Sequence, residues 1–275
     1  MNGFDKLMML PDVQASADPR HIAIDRVGVK SVHYPVTILG ADNQAKPSIG
    51  LFDLYVALSA EVKGTHMSRF IELLDSQLEP LSVASMRSLL DVMLGRLEAQ
   101  GGSIHVKAPF FVHKKAPVSG VGSLMDYEVS WDARRDQGTQ TTSVVQTVQV
   151  PVKSLCPCSK EISDYGAHNQ RSHVTISVEL AENSTLSLEE QIRFAEDNAS
   201  CELWGLLKRP DEKYVTERAY DNPKFVEDMV RDVAVSLNQD ARIVAYKVTS
   251  ENFESIHNHS AFACIEHRKK NDGEL

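Results

Sequence analysis

The chain has 275 residues, enough for one large domain or two modest ones with ample core. Hydrophobic residues make up 42% and charged residues 24%, an ordinary globular balance, and no apolar run approaches a membrane span. A net charge of −9 argues against a nucleic-acid binder relying on an overall positive field, while leaving room for a local basic site for an anionic small molecule.

The first residues, MNGFDKLMMLPDVQ, lack a basic segment with an apolar core behind it, so no signal peptide is expected and the expected compartment is the cytoplasm. Residues up to about Arg26, with Pro11 and Pro19, read as an irregular arm. Val29 to Leu39 and Ile49 to Val62 read as strands, the second with Phe52, Leu54, Val56 and Leu58 on one face. After a polar turn, Phe70, Leu73 and Leu74 predict a helix from Arg69 to Gln77. A second helix is expected from Val83 to Gln100, with Leu89, Leu90, Met93, Leu94 and Leu97 on one stripe and Gly101-Gly102 as its stop. Ser103 to His113 and Ser123 to Ala133 follow as strands.

The second half repeats this order. Thr142 to Ser154 and Ser172 to Ala181 alternate as strands. Ser187 with Glu190 forms a capping-box signature for a helix running to about Leu207, and Asn222 with Pro223 is expected to start another, running to about Asn238. Ala241 to Thr249 and Ser260 to His267 close the chain as strands. The expectation is an α+β fold written as β-β-α-α-β-β twice, each half a four-stranded antiparallel sheet with helices on one face. The division is an arm over 1–28, a first module over 29–140 and a second over 141–275. Sheet faces and edges left uncovered predict oligomerisation.

Ligand-type residues concentrate where strands end. Cys156 and Cys158 flank Pro157, and the residue before proline prefers extended backbone. In extended backbone both thiols would face one site, with His168 folding back from the loop. Thiolate and imidazole suit zinc, and a catalytic zinc keeps three protein ligands and a water. The competing reading is that such cysteines are merely small buried hydrophobes. Four cysteines in a chain this long do not make a disulfide framework. In the closing loop, Glu254, His257 and His259 read either as a metal or proton-transfer group or as a solvated hairpin tip. The basic clusters Lys63, His66, Arg69, then Lys208, Arg209, Lys213, Arg218, and Lys160 with Arg171 read as anion sites or as solvated surface.

Five segments, taken together and in order, resemble the prokaryotic type IB GTP cyclohydrolase I family. They are His66-Met67-Ser68-Arg69, Cys156-Pro157-Cys158-Ser159-Lys160, His168-Asn169-Gln170-Arg171-Ser172-His173, Arg209-Pro210-Asp211-Glu212-Lys213 and Glu254-Ser255-Ile256-His257-Asn258-His259. The resemblance runs from Asp25-Arg26-Val27-Gly28 to the last strand. It implies the tunnelling fold, two modules in one chain, and homotetramers with active sites at subunit interfaces. The implied reaction takes GTP and water to 7,8-dihydroneopterin triphosphate and formate, an entry to folate-type pterins that in some bacteria also feeds queuosine. A divalent metal is implied, zinc or manganese, held by Cys156, His168 and Glu212, with Cys158 beside it as a catalytic residue. Glu254, His257 and His259 carry protons in this reading, and Glu227 anchors guanine. His66, Ser68, Arg69 and Arg171 are the expected triphosphate-binding groups.

Two other classes fit parts of the pattern. A tunnelling-fold nitrile reductase would use Cys158 as nucleophile with a nicotinamide cofactor and no metal. A non-catalytic metal- or pterin-binding protein would close a structural site with Cys156, Cys158 and His168.

Overall fold

The computed structural model describes residues 14, 16–77 and 79–270, so half of the expected arm and the last residues of the second module lie outside the described part. The strands are β1 (Ile24–Leu39), β2 (Ala45–Leu58), β3 (Gly102–Lys115), β4 (Gly122–Arg135), β5 (Ser143–Leu155), β6 (Asn169–Leu180), β7 (Ile243–Asn252) and β8 (Ala261–Arg268). The helices are α1 (Met67–Gln77), α2 (Val83–Arg96), α3 (Pro157–Ile162), α4 (Leu188–Asn198), α5 (Arg209–Asp221) and α6 (Val226–Gln239). No helix among the described residues is long and apolar enough to cross a membrane.

All eight strands form one antiparallel sheet in chain order, where two four-stranded sheets were expected. The join is the β4–β5 ladder, with Glu128 opposite Gln149 and Arg134 opposite Ser143. Alternation sets the faces as read: Phe52, Leu54, Val56 and Leu58 are buried together, as are Val148, Val150 and Val152 with Val174, Ile176 and Val178. Against this face pack Phe70, Leu73 and Leu74 of α1, Leu89, Leu90 and Met93 of α2, Ile192 of α4, and Met229, Val233 and Leu237 of α6. One continuous apolar core therefore spans both halves. A buried amide chain stitches the join. The Trp131 indole N–H donates to Gln146 Oε1 at 2.9 Å, and Gln146 Nε2 donates to Gln191 Oε1 at 2.9 Å. Gln191 Nε2 in turn donates to the Ile176 carbonyl at 2.8 Å, so both glutamine amides have partners.

Several boundaries differ from expectation. β1 begins at Ile24, inside the expected arm, and β2 begins at Ala45 and ends at Leu58. α4 ends at Asn198, short of the expected Leu207, and the stretch left between the two expected helices starts a separate helix, α5. Its start is made by Asp211, whose carboxylate accepts from the Lys208 main-chain N–H at 2.8 Å. Asn222 terminates α5 instead of starting α6, its N–H donating to the Arg218 carbonyl at 3.1 Å. α6 starts three residues beyond Pro223, where Asp228 accepts from the Phe225 N–H at 3.0 Å. Asparagine suits both helix ends, which is why sequence alone assigned it to the wrong helix.

Candidate functional site

β5 ends and β6 begins as antiparallel partners, Leu155 opposite Asn169. The segment between them is a short excursion built on α3. Pro157 occupies the first helical turn, where its missing N–H costs nothing, and Cys156 is the extended residue before it. Cys158 is therefore helical, and the expectation that both thiols project alike from an extended strand does not hold. The Cys156 thiol caps α3, accepting from the Ser159 N–H at 3.4 Å, and is part-buried, whereas Cys158 is exposed.

The excursion returns His168 to Cys156. The Cys156 N–H donates to the His168 carbonyl at 3.1 Å. The Ser159 hydroxyl donates to the Cys156 carbonyl and accepts from the His168 N–H, both at 3.2 Å. His168 Nδ1 lies 3.1 Å from Gln170 Oε1, and Gln170 Nε2 donates to Glu254 Oε1 at 3.5 Å. The closing loop is pinned to the same place by the Phe253 N–H, which donates to the Arg171 carbonyl at 3.0 Å. Phe253 also meets His173 edge-on at 4.8 Å. Burial, followed by the Arg171 charge, pushes the His173 imidazole below its usual pKa. In the loop His257 and His259 stack with ring centroids 5.2 Å apart, both exposed. Glu227 lies at this end too: the Lys224 N–H donates to the Leu155 carbonyl at 3.0 Å, bringing the first turn of α6, from which Glu227 is exposed, towards the residue before Cys156.

The other expected residues lie elsewhere. Glu212 sits in the first turn of α5, whereas α5 meets α3 at its last turn, where Lys160 Nζ donates to the Tyr220 carbonyl at 2.5 Å. Eight residues of helix between them span roughly 12 Å. Among the described residues no three Cys, His, Asp or Glu side chains converge to hold a metal ion. His66, Ser68 and Arg69 follow the end of β2, which neighbours the starts of β3 and β5 through Val56 opposite Gly102 and Arg134 opposite Ser143. They lie at the far end of the sheet from Cys156, separated by the 13 residues of β5, roughly 40 Å. There Arg69 donates to the Arg96 carbonyl at the end of α2, at 3.1 Å. Arg171 is exposed on the sheet face away from Gln170, opposite Lys153. A cleft of about 690 Å³ opens on the far half and is lined by Arg26, Asp53, Tyr55, His105 and Asp132, none of them expected from sequence.

The donor types at Cys156 and His168 suit a cation: a part-buried sulfur, and an imidazole whose Nδ1 is already engaged. What sequence reading missed is the polar row behind them, Ser154, Gln170, Ser172 and Asn252, all buried. The signal was present, since these residues continue the core-facing alternation of β5, β6 and β7 with polar side chains where valines stood before.

Residues 10–263 match the family described as type I GTP cyclohydrolase folE2. The chain is 60% identical over 270 residues to GTP cyclohydrolase FolE2 of Cupriavidus pinatubonensis, covering 98% of each. It is 58% identical to the Paraburkholderia phymatum protein of the same name, covering 98% of this chain and 99% of that one. Among solved structures, a hyperthermostable mutant of Bacillus sp. TB-90 urate oxidase superposes with a TM-score of 0.53 at 10% identity, covering 90% of this chain and all of the other. That likeness is one of fold.

Proposed function

The chain belongs to the type I GTP cyclohydrolase FolE2 family and is a GTP cyclohydrolase, and on that premise we propose how its residues divide the reaction. The proposed products are 7,8-dihydroneopterin triphosphate and formate, made from GTP and water in the cytoplasm, with a role in folate-type pterin synthesis, in queuosine synthesis, or in both. The proposed fold description is the tunnelling fold with two modules. The observation that carries the residue assignment is the junction of Cys156, His168, Gln170 and Glu254 at one sheet end.

Cys156 and His168 would hold a zinc or manganese ion, and Glu212 would complete the set. When bound, the ion supplies Lewis acidity that brings the pKa of water towards neutrality. Glu227 pairs with the guanine N1–H and exocyclic amine, which only an acceptor can satisfy. Glu254, His257 and His259 move protons at the imidazole nitrogens of the base and at the sugar as the rings open and reclose, and Cys158 lies within the same reaction site. Arg171 and, from the far end of the sheet, His66, Ser68 and Arg69 bind the triphosphate. Because Glu212 and the His66–Arg69 segment lie away from Cys156 in one chain, we assign completion of the site to further copies, in a homotetramer with sites at subunit interfaces.

The test is incubation of the metal-loaded protein with GTP, following formate release and the fluorescence of oxidised neopterin. Formation of both, with neither formed from GTP by metal-stripped protein, supports the assignment. Equal turnover after metal removal would refute the metal's role.

A further inference from the structure

We infer that Gln170 is a positioning residue that fixes which nitrogen of His168 is free and ties that imidazole to the Glu254 carboxylate. The inference rests on the reading that Cys156 and His168 hold the metal. Gln170 is 8% exposed and faces the helix layer, and its amide makes three contacts. Nε2 donates to Ser154 Oγ at 3.1 Å and to Glu254 Oε1 at 3.5 Å, and Oε1 lies 3.1 Å from His168 Nδ1.

The orientation of this amide follows from its neighbours. An ionised carboxylate only accepts, so the side facing Glu254 is the NH₂. The second support is a one-way row of hydroxyls. Ser172 Oγ donates to Asn252 Oδ1 at 2.7 Å, so its own oxygen is left to accept from Ser154 Oγ, also at 2.7 Å. Ser154, having given its proton to Ser172, must accept from Gln170. The row runs Gln170, Ser154, Ser172, Asn252, each donating to the next. An acceptor at either end therefore holds the Gln170 oxygen towards His168.

An oxygen there can only accept, so His168 carries its proton on Nδ1 and presents the Nε2 lone pair. A ligating histidine needs its non-ligating nitrogen engaged in this way, which holds the ring and raises its basicity. The same amide reaches Glu254, so the metal-side imidazole and a proton-carrying carboxylate share one buried anchor. Neighbouring valines on the same face show that burial alone did not call for a polar side chain at this position.

The experiment measures zinc affinity of the full-length protein by competition with a chromophoric chelator, alongside the visible spectrum of the cobalt-substituted form and GTP turnover. Gln170→Leu keeps the volume and removes both roles. It is expected to weaken zinc binding about 10–100-fold, the usual size of an outer-partner loss, and to alter the cobalt spectrum while the thiolate-to-cobalt band of Cys156 persists. Gln170→Glu keeps an acceptor for His168 and loses the donors to both Ser154 and Glu254. Because a carboxylate is itself a common partner of a ligating histidine, its zinc affinity is expected to stay near wild type and well above that of Gln170→Leu, with turnover reduced. A folded Gln170→Leu with wild-type zinc affinity and cobalt spectrum overturns the inference. Should Gln170→Leu fail to fold, Gln170→Glu decides alone, and a tenfold weaker affinity there overturns it. Cys156→Ala and His168→Ala run in parallel: if they also bind zinc as wild type does, the metal reading itself falls, and if they do not, only the role of Gln170 is lost.

Discussion

The main-chain N–H of Cys156 donates to the carbonyl of His168 at 3.1 Å, so the two donors are set beside each other by backbone pairing. Either side chain can therefore be truncated without undoing the turn that places the other. The proposed ligands can be tested singly.

Cys156→Ala and His168→Ala should each lose bound metal and nearly all turnover, since a three-ligand site has no spare donor. Cys158→Ala should lose activity and keep most of its metal, because Cys158 sits exposed in the first turn of α3, whereas the Cys156 thiol faces inward at its cap. Elemental analysis decides it, and full occupancy in Cys156→Ala would sink the assignment.

Glu227 is exposed in the first turn of α6, so its replacement should leave the fold intact. Glu227→Ala should raise KM for GTP strongly, and the wild type should not turn over ATP, because a site built to pair with a hydrogen-bonding base rejects one lacking those groups by about 10⁴–10⁵. Comparable rates with ATP and GTP would refute guanine recognition by this carboxylate.

Glu254→Ala, His257→Ala and His259→Ala should each cut turnover by roughly 10²–10⁴-fold, the size of a general acid–base contribution. Metal content should stay near normal. Their effects should be non-additive, as expected of groups in one proton path. Formate and neopterin are best measured separately, since a variant stalled after the first ring opening accumulates a formylated intermediate. Wild-type rates of both products would return the loop to a solvated turn.

The distance between the two ends of the sheet makes a complementation test possible. Arg69→Ala and Cys156→Ala, each inactive alone, should regain activity when unfolded together and reassembled. With random mixing, about a quarter of interface sites would combine two intact ends. No recovery in assembled mixed oligomers would place both residues in one subunit's site.

Asp211 gives a pH signature for the seat of α5. Its enclosed carboxylate accepts from the Ser119 hydroxyl at 2.6 Å and from the main-chain N–H groups of Val118, Ser119 and Lys208. Burial raises its pKa, but these hydrogen bonds outweigh it and hold the group below the usual carboxylate range. The unfolded chain therefore takes up the proton first as pH falls. The stabilisation is complete above about 3.9 and is lost as pH drops through the folded value. Denaturant titrations of wild type and Asp211→Asn should show a stability difference that is constant near neutrality and narrows below about pH 4. A difference that stays the same throughout would exclude this linkage.

Local pattern was enough for the strands, their faces and the two helices of the first half, because alternation and helical spacing depend on near neighbours alone. Phe52, Leu54 and Val56 share a face whatever lies across from them. The motif residues were also visible, as uncommon types crowded at strand ends. Which of them meet depends on the register of strands far apart in sequence. Leu155 pairs with Asn169 and Ser172 with Asn252, and these pairings bring His168, Gln170 and Glu254 together. The same antiparallel order sends His66 and Arg69 to the opposite end. Asn222 shows the limit from the other side: its chemistry serves either end of a helix, and only the packing of α5 and α6 chose between them.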